Sequence, residues 1–199
     1  MSDNSLLRIL RGQEVNLHDV DPGLHRVRVC IGWEAPEQDQ GFPVDLDGSA
    51  FLLGRDGRVR RDTDFVFYNN LETDGGVVRH HGDNTTGEGT GDRETIDINL
   101  ESLHFDIEKV AFSVSIHNAE ERQQNFGLVR DAYIRVLNLD TKVELARHDL
   151  TQGAATDNAY VFGELYRVGM GWKFKAVGEG SNGGLYKVAR DFNVNVAPV

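Results

Sequence analysis

The feature that most constrains the fold of this chain is an alternation of apolar and polar residues with a period of two. In the segment HRVRVCIGW, residues 25–33, the apolar side chains of Val27, Val29, Ile31 and Trp33 fall on one face. Successive side chains of an extended chain point to opposite faces, so this pattern predicts a half-buried β-strand. The same period recurs in four further segments, at 96–100, 110–116, 132–136 and 172–176.

Short apolar runs and turn-forming residues complete the β pattern. Three runs predict strands buried on both faces: AFLL (50–53), FVFY (65–68) and AYVFGELY (159–166). Turn-forming residues that favour hairpin connections stand between the strands, at 54–58, 72–76 and 138–142. Many strands at short spacing predict an all-β sandwich or barrel.

Helical signals are sparse. Residues 118–124, with Asn118 as the N-cap, predict about two turns, and residues 185–190 predict a second short helix. The 199 residues contain no internal repeat, no low-complexity linker and no abrupt change of composition. A chain of this length can bury one substantial core, so we expect a single domain over residues 1–199.

Net charge and cysteine content limit the partners and the compartment. The formal charge of −11 disfavours a nucleic-acid partner, and it disfavours an anionic membrane surface unless a cation bridges the two. The single cysteine, Cys30, excludes an internal disulfide and is expected to be a small buried side chain. The first residues do not form a signal peptide and no run of about 18 apolar residues occurs, so we expect a cytoplasmic protein with no integral membrane segment.

The segment HGDNTTGEGTGDRE, residues 81–94, is too polar for the core and too long for a simple turn. It brings Asp83, Glu88, Asp92 and Glu94 close together in sequence, and glycines flank Glu88. Carboxylates held close together repel one another, at a cost of about 1 kcal/mol per pair at 4 Å in water and more in a partly desolvated loop. A divalent cation reverses that sign, so the loop is a candidate metal site.

The remaining oxygen donors favour calcium over other ions. Asp45 and Asp47 are two residues apart and therefore fall on one side of an extended chain, while Asn69 and Asn84 add amide oxygens. Calcium accepts six to eight such hard ligands in loose geometry, whereas magnesium requires a strict octahedron. Zinc at His80 and His81 is a weaker alternative, because neighbouring residues of a strand point to opposite faces. A solvated loop, with Asp45 and Asp47 as turn-capping residues, is the interpretation without a metal.

Enzyme motifs are scarce. The segment GEGSNG (178–183) has the spacing of a dinucleotide-binding loop, but too little chain follows it for the rest of a βαβ unit, and we expect a tight turn there. No P-loop, G-x-S-x-G or H-E-x-x-H pattern occurs. Two alternatives to a non-enzymatic calcium protein stay open: a metal-dependent hydrolase of the phosphoesterase type, and a calcium-bridged contact with anionic lipid through Phe42.

Seven sequence blocks together resemble the TerD family of tellurium-resistance and stress-response proteins. In chain order they are FPVDLDGSAFLL, DFVFYNN, HGDNTTGEGTGDRETIDINL, DAYIRVLN, HDLTQ, VFGELYR and WKFKAVGEG. The resemblance implies a bacterial calcium-binding β-sandwich of two mostly antiparallel sheets with one or two short helices. It further implies a non-enzymatic stress-response role, with other proteins of a stress-response complex as partners.

The resemblance implies one or two calcium ions held by the acidic segments. Carried over position by position, the metal ligands are Asp45, Asp47, Asp83, Asn84, Glu88, Asp92 and Glu94, with Asn69 as a further candidate. The family motif usually continues with two consecutive aspartates, but here Asp92 is followed by Arg93. Either Arg93 points outward to a surface carboxylate, or one of two ion sites is weakened or lost.

Overall fold

The computed structural model describes residues 8–34, 44–83, 91–150 and 156–196. Its strands are β1 (Glu14–Asn16), β2 (Arg26–Glu34), β3 (Leu46–Leu53), β4 (Phe65–Val66), β5 (Val78–Asp83), β6 (Asp92–Asn99), β7 (Lys109–Ile116), β8 (Arg130–Asn138), β9 (Glu144–Asp149), β10 (Ala159–Val168) and β11 (Gly171–Ser181). Its α-helices are α1 (Leu17–Val20), α2 (Ala119–Arg122) and α3 (Gly184–Asp191). Three short 3-10 turns lie at Asp62–Asp64, Asp74–Gly76 and Phe126–Leu128.

The strands form two sheets that pack face to face. One sheet has six strands in the order β1-β11-β10-β7-β3-β4, and the other has five in the order β5-β6-β2-β8-β9. Neighbouring strands within both sheets pair antiparallel. The expected all-β sandwich of two mostly antiparallel sheets with short helices is therefore confirmed.

The main core lies between the sheets and follows the alternation of the sequence. Val27, Val29 and Ile31 of β2 are at most 1% exposed, and they face apolar side chains of β3 and β7 such as Leu52 and Phe112. The predicted inward face of β2 is thus confirmed. Cys30 points to the other face of β2 and is also fully buried, as expected.

A second, smaller core explains why β3 is apolar on both faces. Phe51 and Leu53 point away from the main core and pack with Phe65 against Val188 and Ala189 of α3. The predicted helix at 185–190 is therefore present, and it covers the outer face of the six-stranded sheet. An apolar run such as AFLL needs this cover, because both of its faces must leave water.

Three local predictions differ from the structure. The run FVFY leaves the sheet after Val66, because Phe67 and Asn70 exchange backbone hydrogen bonds of 3.0 and 2.9 Å in a tight turn. Asn118 precedes α2 but has a left-handed backbone (φ 52°), and its side chain makes no capping bond to the helix. The segment GEGSNG is not a turn, since β11 continues to Ser181 and α3 begins at Gly184.

Candidate metal site at the open pole of the sandwich

The clearest feature of the candidate site is a buried carboxylate. Glu94 projects from β6 toward the other sheet and is only 2% exposed. Its Oε2 accepts a hydrogen bond from the backbone N–H of Gly48 in β3 and lies 3.3 Å from Nε2 of His80. The Gly48 N–H is available because β4 pairs with β3 only at Ala50 and Phe51. We call this end of the sandwich the open pole, defined by Gly48, Asp83 and Glu94.

Asp47 and Asp45 lie at the start of β3, beside the buried carboxylate. Asp47 precedes Gly48 and is 9% exposed, and its Oδ2 lies 3.1 Å from Nδ1 of His117. The alternation of β3 places the Asp47 side chain on the outer face of its sheet, opposite the side on which Glu94 approaches. Asp45 is exposed, and its carbonyl oxygen accepts the His117 N–H at 2.8 Å.

The other predicted ligands reach the open pole to different degrees. Asp83 ends β5 and its backbone is paired with Glu94 in the sheet. Asn69 is exposed in the turn that follows Phe67, and the ring of its neighbour Tyr68 lies edge-on to His117 at 6.2 Å between centroids. Asn84 and Glu88, together with Phe42 of the lipid hypothesis, lie outside the described residues.

The structure does not bring Asp92 together with Glu94, although the two are only two positions apart. The register of the pairing between β2 and β6 shifts between Ile31 and Gly32, so Arg93 is an extra residue in β6. Such a β-bulge reverses the alternation. Asp92 therefore lies on the outer face of the five-stranded sheet, whereas Glu94 lies on the inner face.

On that outer face Asp92 is held by protein donors. Arg135 donates two hydrogen bonds to its carboxylate, Nε at 3.0 Å and Nη2 at 2.6 Å, and the Tyr133 hydroxyl donates a third at 2.8 Å. Burial works to raise the pKa of Asp92, but the Arg135 and Tyr133 hydrogen bonds outweigh it, so the pKa lies below its ordinary value. Such an arrangement fixes the start of β6.

Arg93, the departure from the family motif, differs from the first of the two expectations, and the second, a weakened or lost ion site, stays a prediction. Its guanidinium carbon lies 5.6 Å from the ring centroid of Trp33, and its Nε is 3.4 Å from the Trp33 carbonyl oxygen. The contacts of Arg93 within the described chain are thus with an aromatic ring and a carbonyl, not with a surface carboxylate. This contact places the guanidinium over the Trp33 ring.

The histidines at the loop entrance point to opposite faces, as expected. His80 is 2% exposed and contacts Glu94 between the sheets, whereas His81 donates a 2.8 Å hydrogen bond from Nε2 to the Asp97 carboxylate on the outer face. No group of three histidine, cysteine, aspartate or glutamate side chains is arranged to hold a metal among the described residues. What the open pole offers chemically is hard oxygen donors.

Two contacts near the site, those of His117 and Tyr133, have no signature in the sequence. Their positions in the sequence do not differ from those of other strand and turn residues. The spacing of His117 and Tyr133 therefore does not indicate that they contact Asp47 and Asp92. One usable signal was Gly32, since a glycine inside a strand often marks a close approach. A methyl group at Gly32 would lie 2.3 Å from Cζ of Tyr133, which shows that the ring lies directly over this glycine.

Ionisation of Asp97, on the outer face of the five-stranded sheet, makes the free energy of unfolding depend on pH in the acidic range. Burial opposes its ionisation, but a bidentate contact from Arg28 (2.6 and 2.8 Å) and the His81 contact lower its pKa below the ordinary 3.8. A lowered pKa in the folded state contributes stability above the ordinary pKa, and this contribution disappears as the pH falls through the folded value.

We therefore expect Asp97→Asn to be less stable than the wild type at neutral pH and to approach it below about pH 4. Urea unfolding from pH 7 downward measures the free-energy difference. A difference that stays constant across this range would contradict the role of the Arg28–Asp97 contact.

The comparisons with known proteins agree with this architecture. The family model for the TerD domain matches residues 6–192. The chain is 47% identical over 187 residues to the tellurium resistance protein TerD of Serratia marcescens, covering 94% of this chain and 97% of that protein. It is 43% identical over 190 residues to general stress protein 16U of Bacillus subtilis, covering 96% and 98%.

A solved structure supports the fold. The crystal structure of a homologue of telluride resistance protein (TerD) from Streptomyces coelicolor A3(2) superposes with a TM-score of 0.68 at 24% identity, covering 88% of this chain and all of that one. None of the helices formed by the described residues has the length and apolar character needed to cross a bilayer. On the family match and these identities, the chain belongs to the TerD family of tellurium-resistance and stress-response proteins.

Proposed function

We propose that this protein is a non-enzymatic, cytoplasmic stress-response protein that binds one or two Ca²⁺ ions at the open pole. In the bound state the pole presents a metal-dependent surface to other proteins. Relatives carry the names of tellurium resistance and general stress proteins, and these names support the stress-response role. No contact among the described residues specifically favours the hydrolase or the lipid-binding alternative.

The observation that carries the proposal is the position of Glu94. A carboxylate at 2% exposure is costly to keep charged unless hydrogen bonds or a cation compensate it. Glu94 lies beside the open edge of β3, where it contacts Gly48, the residue after Asp47, and its backbone pairs with Asp83. The segment 84–90 connects Asp83 to the start of β6 and carries Asn84 and Glu88.

The residues of this chain divide into ligands and a positioning group. The Asp47 side chain lies on the outer face of β3, and Glu94 reaches the inner face of this strand. Asp83, Asn84 and Glu88 would complete the oxygen set. Asp45 and Asn69 would lie at its margin. Asp92 departs from the sequence expectation: bound by Arg135 and Tyr133, it positions the start of β6. A bound Ca²⁺ supplies positive charge that offsets the repulsion between the carboxylates.

Thermal melting in EGTA, and then in excess calcium or magnesium, tests the proposal. A ligand at 100 times its Kd stabilises the folded state by about 2.7 kcal/mol, which for a domain of this size raises Tm by roughly 5–11 °C. We expect this rise with calcium and a much smaller one with magnesium. Glu94→Gln, which keeps the hydrogen-bond acceptor but removes the charge, should lose most of the rise.

Glu164→Gln is the matched control, because Glu164 in β10 is also a mostly buried strand carboxylate but pairs with Lys109 in β7. It should melt lower than the wild type yet keep the calcium-dependent rise. Equal melting of the wild type in EGTA and in calcium would refute calcium binding. An equal calcium-dependent rise of Tm in Glu94→Gln and Glu164→Gln would show that Glu94 is not a calcium ligand. Fractionation of cells would test the cytoplasmic location.

A further inference from the structure

A groove lies on the outer face of the six-stranded sheet, next to the open pole. It is bounded by the ends of β3 and β7, the turn after β4, α2 and the start of α3, and it has a volume of about 780 Å³. This is the size range of pockets that hold small molecules or a few side chains of a peptide. We call it the acidic groove, defined by Asp47, Tyr68, His117, Glu120 and Glu121.

The floor of the acidic groove continues a row of aromatic rings that begins in the second core. Phe51 stacks on Phe65 at 4.4 Å between centroids, and Phe65 stacks on Phe67 at 4.2 Å. Phe67 meets Tyr68 edge-on at 5.1 Å, and Tyr68 is 44% exposed. Exposed aromatic side chains on a rigid support are typical anchors of protein interfaces.

The charges of the acidic groove have one sign. The charged side chains that line it are Asp47, Glu120 and Glu121, beside His117, and no lysine or arginine is among the described residues of the lining. Glu120 and Glu121 are exposed and form no salt bridge with a described residue. Elsewhere on the surface many carboxylates are paired, for example Asp140 with Arg26 and Glu72 with Arg79.

The beginning of α3 does not offset this negative charge. The side-chain oxygen of Asn158 accepts hydrogen bonds from the N–H groups of Gly183 at 3.0 Å and Gly184 at 2.9 Å. These donors would otherwise attract an anion to the helix start. The groove therefore combines an aromatic floor with acidic walls, and its complement is positive and apolar.

From this complementarity we infer that the acidic groove binds a peptide segment of a partner protein in which lysine or arginine stands next to apolar side chains. The apolar side chains lie on Phe67 and Tyr68, and the basic side chains reach Glu120 and Glu121. This inference rests on the proposed function in one respect, since the groove is the surface that the proposal requires. Asp47 lines the groove and precedes Gly48 of the open pole, so we expect occupancy of the groove to affect the pole through this residue.

Selection from a phage-displayed library of random 12-residue peptides tests the inference. The library is first depleted on Tyr68→Ser and then selected on the wild-type protein in calcium. We expect the recovered peptides to be enriched in lysine or arginine adjacent to leucine, isoleucine or aromatic residues. One synthetic peptide from this pool is then labelled with fluorescein, and its Kd is measured by anisotropy.

Variants and competitors locate the binding. Tyr68→Ser should weaken the peptide at least about tenfold, as expected for a central aromatic anchor. The double variant Glu120→Gln/Glu121→Gln should weaken it roughly fivefold at low salt, with less salt dependence than the wild type. Glu101→Gln/Glu108→Gln, in the exposed loop before β7, is the charge-matched control and should bind like the wild type.

Each other outcome overturns the inference. A recovered pool without enrichment in basic and apolar residues refutes peptide binding at the groove. A peptide that binds the groove variants as tightly as the wild type refutes it as well. Spermidine that binds as tightly as the peptide makes the groove a small-cation site. Self-association lost in Tyr68→Ser makes it a contact between copies of this chain.

Calcium melting of the same proteins separates the two proposals. Glu120→Gln/Glu121→Gln should keep the calcium-dependent rise of Tm, because neither residue belongs to the open pole. A calcium response without peptide binding removes only the groove inference. Peptide binding without a calcium response removes only the metal site.

Discussion

Gly48→Ala should lower the free energy of unfolding by about 1–3 kcal/mol and should also abolish the stabilisation by calcium. A methyl group at this position would lie 2.2 Å from Oε2 of Glu94 and 3.0 Å from Cδ1 of Ile31. Glu94 would have to leave the Gly48 N–H, and the buried His80, 3.3 Å from its carboxylate, limits where it can move. The two effects add, because one concerns packing and the other the ligand set.

Urea unfolding and thermal melting, each with EGTA and with calcium, measure the two effects separately. Gly23→Ala is the matched control, since the nearest atom to its added methyl group is Oδ1 of Asp21 at 3.7 Å. It should change stability by less than about 0.5 kcal/mol and should leave the calcium response intact. A Gly48→Ala protein with a full calcium response would show that Glu94 is not needed at the edge of β3.

Arg135→Met should destabilise the protein by about 2–4 kcal/mol, near the cost of breaking a buried ion pair. Arg135 contacts Asp92 at 2.6 Å and Glu144 at 3.0 Å, and the three side chains are only 13–16% exposed. Methionine keeps much of the length but leaves both carboxylates without their shared guanidinium. The start of β6 should loosen with it, so the calcium affinity should fall as well.

Arg26→Met is the control for the removal of an arginine from the same sheet. Arg26 pairs with Asp140, but their side chains are 50% and 44% exposed, so solvent screens this pair and its loss should destabilise the protein far less than the loss of Arg135. Urea unfolding of both variants gives the comparison, and calorimetric titration with calcium gives the affinity. Similar losses in the two variants would mean that Arg135 acts as an ordinary surface residue.

The strand pattern was predictable because it depends on local rules. In β2 the alternation of Val27, Val29 and Ile31 with polar residues identifies the inward face before any partner strand is known. The apolar run 50–53 likewise indicated burial on both faces. The failure at FVFY has a different origin, since the turn at Phe67 to Asn70 competes with the strand and β4 stops at Val66.

The candidate site was predictable only as a set of residue types. The sequence identified Asp47 and Glu94 as oxygen donors, and the structure brings Glu94 to Gly48, the residue after Asp47. It could not separate Asp92 from Glu94, because the bulge at Arg93 depends on the pairing of β6 with β2. Calcium binding itself stays a prediction.

The sequence by itself determined the all-β class, the inward faces of the strands and the family, because side-chain periodicity and motif order are properties of the chain alone. Only the tertiary structure decided which carboxylate is buried between the sheets, which one is held by Arg135 and which aromatic rings line the acidic groove. The physical reason is that these contacts join residues far apart in sequence, such as Gly48 with Glu94 and Asp92 with Arg135. Strand order, register and the position of one bulge fix those contacts, and none of the three is encoded in local spacing.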